Sequence, residues 1–85
     1  MNTEGTPMSG MNSVENLLRM AHGIGDFFSA MPDQDEARRD LATHIRKYWE
    51  PRMRRGIFEH LEKEQGEGLR EIVLVTLQEY RAELT

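Results

Sequence analysis

The chain has 85 residues, 31% of them charged and 38% hydrophobic, with a net charge of −4. That length allows one domain with a thin core, burying only ~60–65% of the surface of the unfolded chain; no apolar run approaches the ~20 residues that a spanning helix needs. The absence of cysteine excludes disulfides, thiolate metal sites, iron–sulfur ligation and a cysteine nucleophile.

The net charge conceals an asymmetry. Residues 1–37 carry one basic and six acidic side chains, residues 38–55 seven basic and two acidic, and residues 56–85 three basic and seven acidic. An acidic chain with one basic segment does not have the charge pattern of a general nucleic-acid binder. It has that of a protein with one local site for an anion or an acidic surface.

In chain order, residues 1–12 are polar and lack the basic start and apolar centre of a signal peptide. They read as a disordered leader, residues 13–85 as a single helical domain, and the protein as cytoplasmic. The first helix is expected from about Val14 to Ala30, capped by Asn12 or Ser13, with capping-box spacing between Asn12 and Glu15. Val14, Leu17, Leu18, Ala21, Ile24, Phe28 and Met31 recur at three- and four-residue steps and form its core face, which Phe27 widens. Gly23 and Gly25 inside it each cost ~1 kcal/mol against alanine. Either the helix is loosened there or another backbone approaches closely.

Met31-Pro32-Asp33 ends this helix and begins the next, with Asp33 as N-cap and Glu36 three residues on. The second helix is expected to reach Tyr48 and to bury Ala37, Leu41, His44 or Ile45, and Tyr48. Its acidic first turn (Asp35, Glu36) and basic last turn (Arg46, Lys47) suit the helix dipole. Pro51 then removes a backbone donor and forces Glu50 out of helical geometry. Proline is tolerated in a first helical turn, so a third helix starts there and runs to about Glu64, burying Met53, Ile57, Phe58 and Leu61. Gly66-Glu67-Gly68 reads as a turn. A fourth helix, about Leu69 to Leu84, buries Leu69, Ile72, Val73, Leu77, Tyr80 and Leu84; Val75 falls off that stripe and is a candidate partner-facing residue. The expected fold is all-α, a small bundle of four short helices with a Pro-broken corner between helices two and three. Helices one and four are expected to pack across that corner.

No catalytic or metal pattern emerges. His22, His44 and His60 stand on three different helices without HExxH spacing and read as surface or partly packed residues. Asp33, Asp35 and Glu36 read as helix-start residues. Ser9, Ser13 and Ser29 have no nucleophile-elbow context, and Gly23-Ile24-Gly25 follows no strand, as a phosphate loop would.

The informative stretch is Arg46 to Arg55, which holds the only tryptophan and five of the eleven basic residues. Arginine forks grip carboxylates or phosphates with paired hydrogen bonds. Trp49 beside the proline break either packs the corner or presents a flat apolar surface. The arginines are either a solvated face or interface anchors. The partner-docking candidates are Arg46, Tyr48, Trp49, Pro51, Arg52, Met53, Arg54 and Arg55.

Here the sequence resembles the small delta subunit of bacterial NAD-dependent, molybdenum-containing formate dehydrogenases. Tyr48-Trp49-Glu50-Pro51-Arg52-Met53-Arg54 carries the likeness most specifically. Leu17 to Met20, Ala21 to Phe28, Met31-Pro32 and His44-Ile45 follow the family's pattern upstream, and Leu61 and the turn from Gly66 to Leu69 follow it more loosely. The resemblance spans about residues 14–80; the residues before Asn12 match nothing in it, and the last helix carries more Glu and Arg than the pattern. It implies a cytoplasmic complex whose other subunits carry bis-molybdopterin guanine dinucleotide, iron–sulfur clusters, FMN and the NAD site. This chain would carry none of them. Its implied role is non-catalytic: docking on the catalytic (alpha) subunit and supporting assembly, stability or molybdenum-cofactor insertion and retention. Arg52, Arg54 and Arg55 would then meet acidic side chains or dinucleotide phosphates. The alternatives are a transient assembly chaperone and a helix-turn-helix regulator with those arginines on DNA phosphates. No nucleic acid and no membrane are expected as partners.

Overall fold

The computed structural model describes residues 14–85, which form α1 (Val14–Ser29), α2 (Gln34–Tyr48), α3 (Pro51–Glu64), α4 (Glu71–Glu79) and α5 (Arg81–Leu84). The expected leader and the Asn12 or Ser13 cap lie outside the described residues. One core joins all five helices. Leu17 and Ala21 from α1 meet Ala37, Leu41 and Ile45 from α2, Ile57, Phe58 and Leu61 from α3, Ile72, Val73 and Leu77 from α4, and Leu84 from α5. As the periodicity predicts, these residues recur on one face of each helix.

Local chemistry fixes each boundary. Asp33 is the N-cap of α2, its Oδ1 accepting hydrogen bonds from the backbone N–H groups of Asp35 (3.0 Å) and Glu36 (3.2 Å). These are donors that a helix start leaves without partners. At the other end of α3, Gln65 (φ 54°) and Gly66 (φ 72°) turn the chain through left-handed geometry. A side chain at position 66 would stand 2.6 Å from the Leu74 Cδ1 atom, so glycine is required there on two counts. His60, buried in α3, closes the same turn by a 2.7 Å hydrogen bond between its Nε2 and the Glu67 carbonyl.

α1 packs against both α2 and α3, as expected for a helix lying over the corner; α4 lies mainly against α2 and α1, and α5 against α2. Gly25 permits the close contact of α1 with α4, since a Cβ there would meet Val73 Cγ2 at 2.9 Å and Arg70 Cδ at 3.1 Å. The approaching groups are side chains, where the sequence suggested a backbone. Gly23 has nothing within 4 Å of such a Cβ, so no close approach accounts for it.

Three expectations are corrected. Tyr48 and Val14, assigned to core faces, are exposed (70% and 42%), and Trp49 takes the buried place expected of Tyr48. α2 ends at Tyr48, so the next residue leaves the helical register and its side chain swings into the core. The last helix is not continuous from Leu69 to Leu84. Leu69 is held in the preceding turn by a bond from its N–H to the Gly66 carbonyl (3.0 Å). Tyr80 (φ −106°, ψ 23°) then separates α4 from α5. That break directs Leu84 into the core.

Ion pairs lace the outside. The Arg38 guanidinium joins Asp35 in its own helix and Glu79 at the end of α4 (2.9 Å). Its pKa lies above the ordinary arginine value, chiefly through the Glu79 hydrogen bond, with burial opposing. Arg70 of the loop before α4 pairs with Asp26, and Arg81 pairs with Glu62 while lying 5.0 Å from the centre of the Phe58 ring. Thr76 is fully buried and its hydroxyl has no partner among the described residues.

Candidate docking surface

The Pro51 break builds the corner between α2 and α3. Trp49 is extended (φ −91°, ψ 130°), and its N–H still closes α2 on the Ile45 carbonyl at 3.0 Å. Glu50 is extended too (φ −65°, ψ 153°) and precedes Pro51 at the first turn of α3. Trp49 is 4% exposed and belongs to the core. Of the two readings open for the tryptophan, the corner-packing one holds.

Arg54 completes the corner. Its Nε donates to the Leu84 carbonyl (3.0 Å), and one terminal nitrogen donates to the carbonyls of Trp49 (2.6 Å) and Arg46 (3.2 Å). The last carbonyls of a helix lack intrahelical donors and carry the negative end of its dipole. A planar fork with five N–H groups suits them. One guanidinium therefore closes the end of α2 and fastens α5 to the corner. Met53 is half-buried against the core.

The remaining cations differ. Arg46, Lys47, Arg52 and Arg55 are exposed, and none has an acidic side chain within 4 Å among the described residues. Pro51 is exposed beside them. Arg46 also lines a groove of about 380 Å³ with Arg39, Ala42 and Thr43 of α2 and with Tyr80, Glu83 and Leu84. Val75 is half-buried and lines a separate groove of about 360 Å³ with Arg38 and Arg70.

A second feature adjoins the corner at Tyr48. The Tyr48 ring lies 4.9 Å from His44, His44 lies 5.9 Å from Phe28, and Phe28 meets Phe27 edge-on at 5.2 Å. Four rings thus run in contact across α1 and α2. Phe27 is 71% exposed and Tyr48 70%. Sequence reasoning placed Phe28 and Tyr48 on core faces and left His44 or Ile45 open; Phe28 does pack against the core and Ile45 takes the buried place, while Tyr48 is exposed. The only available signal was the width of the apolar stripe that Phe27 extends.

No group of three or more His, Asp or Glu side chains close enough to hold a metal ion occurs among the described residues, and no described helix is long and apolar enough to cross a membrane. The fold defines a small all-α domain that, at this corner, exposes aromatic rings and unpaired cations. The chain belongs to the family described as "NADH-dependant formate dehydrogenase delta subunit FdsD", whose model matches residues 16–77. No curated protein and no solved structure matches. The match spans α1 through Leu77 of α4, and so takes in the whole corner and all four rings. It makes the chain a delta subunit associated with a formate dehydrogenase complex.

Proposed function

We propose that this delta subunit is a non-catalytic accessory component of a cytoplasmic, NAD-dependent molybdenum formate dehydrogenase. It docks on the catalytic (alpha) subunit and supports assembly, stability or insertion and retention of the molybdenum cofactor. The observation that carries the reading is the set of unpaired cations, Arg46, Arg52 and Arg55, held on a corner made rigid by Trp49 and Arg54 in an otherwise acidic chain. Arginines are effective anchors for carboxylate or phosphate because the planar fork makes paired hydrogen bonds. The chain's own donor set does not suit a cluster or a metal ion. It has no thiolate for a cluster, and its described carboxylates and imidazoles do not converge. In this reading the molybdenum, iron–sulfur, flavin and NAD sites belong to other subunits.

The test is capture of the tagged chain from its native cells, with quantitative mass spectrometry and metal analysis. Stoichiometric recovery of a molybdenum- and iron-containing formate dehydrogenase is expected. Recovery of metal-poor catalytic subunit alone would make the chain a transient assembly factor. Recovery of neither would overturn the reading. Reversal of Arg52 and Arg55 to Glu is expected to lower recovery or molybdenum content; unchanged holoenzyme would remove those two arginines from the contact.

A further inference from the structure

We propose that the ring row Phe27–Phe28–His44–Tyr48 is the face by which this chain seats on another protein subunit of the complex. That subunit would offer an apolar recess at the Phe27 end and carboxylates at the Tyr48 end. The assignment rests on the docking reading above and names its surface.

The argument begins with exposure. A lone exposed aromatic is ordinary on a soluble domain. Here the two most exposed large apolar side chains among the described residues, Phe27 and Tyr48, are the two ends of one contacting row. Water gains nothing from this arrangement, and neither terminal ring adds much to the core. Phe28, half-buried against the core, and His44 hold the terminal rings by edge contacts. Each terminal ring thus has one aromatic neighbour already in place. Aromatic side chains of this kind dominate interface energetics.

Charge gives the row a direction. At the α1 end, Asp26 beside Phe27 already pairs with Arg70 and lies 3.9 Å from His22, so its charge is compensated within the domain. At the α2 end, Lys47 precedes Tyr48 and stands three residues from His44, and it has no acidic partner among the described residues; Arg46 lines the groove beside α5 instead. A complementary surface is apolar at one end and acidic at the other. The family, a delta subunit associated with a formate dehydrogenase complex, favours another subunit over a second copy as the occupant.

The probe is formate dehydrogenase purified from cells that lack this chain, titrated with the wild-type chain and with variants. Phe27→Ser with Tyr48→Ser is expected to weaken binding at least tenfold, with an unchanged helical spectrum. Phe27→Leu with Tyr48→Phe, which keeps the apolar surface, should restore it to within threefold. Lys47→Ser should flatten the fall of affinity with salt, because only the cationic end is screened. Wild-type binding with equal binding by the folded serine double variant would overturn this surface and leave the docking reading intact. Absence of wild-type binding would instead break the docking reading on which the surface rests. A wild-type dimer dissolved by the double variant, with complex binding unaffected, would assign the row to self-association and also overturn the proposal.

Discussion

The corner at Trp49–Arg54 and the ring row at Phe27–Tyr48 are neighbours in the fold and opposites in how they use similar chemistry. At the corner an indole and a guanidinium, side chains typical of interfaces, turn inward. Trp49 fills the core, and Arg54 satisfies three backbone carbonyls. Along the row, rings of the kind that usually fill cores stand in water at both ends. The difference teaches that residue type does not decide whether a group is structural or available; its nearest unsatisfied neighbours do. The proline break leaves carbonyls at the end of α2 that need donors, and Arg54 is one helical turn away to supply them. Arg52 and Arg55, on the same helix, find no such carbonyls and remain exposed.

The contrast can be broken most forcefully at Trp49. Replacing it with alanine empties a core site at an expected cost of about 3–5 kcal/mol, against a total of only on the order of 5–10 kcal/mol for a domain this size. Chemical denaturation followed by circular dichroism should show the transition moved to much lower denaturant; a cooperative transition near the wild-type midpoint would remove Trp49 from the core. Arg54→Met comes next, at about 2 kcal/mol, because buried carbonyls lose charged donors. Arg54→Lys sharpens the point, since it keeps the charge but loses the fork. If Arg54 is structural, both variants melt early. If it acts only as an exposed charge, the lysine variant melts like the wild type. The smallest effect belongs to the row: Phe27→Ser with Tyr48→Ser should change stability by no more than about 0.5 kcal/mol per site, as for surface substitutions. A larger loss in the same melts would make the row part of the core.

Much of this architecture is legible along the chain. The Asp33 cap, the Pro51 start of α3 and the Gly66 turn follow from backbone chemistry that acts within a few residues, so they need no tertiary information. The basic segment and the motif around Trp49 also stand out, and with them the family. The site is legible only in part. Trp49 was equally compatible with core and surface, and Arg54 could not be told from Arg52 or Arg55 by composition. The missed features are the break at Tyr80 and the exposed row. Tyr80 and Leu84 keep perfect helical spacing with Val73 and Leu77, so periodicity cannot reveal a break that exists because α5 turns back onto α2.

The sequence by itself determined the helical class, most helix ends, the corner and the basic character of its surroundings, because capping, proline geometry and apolar spacing are local. The tertiary structure alone decided which arginine is consumed and which remain available. It also decided that Tyr48 yields its core place to Trp49, and that four rings from two helices line up. Those outcomes depend on which carbonyls and side chains are brought within reach of one another, and that is settled only when the helices pack.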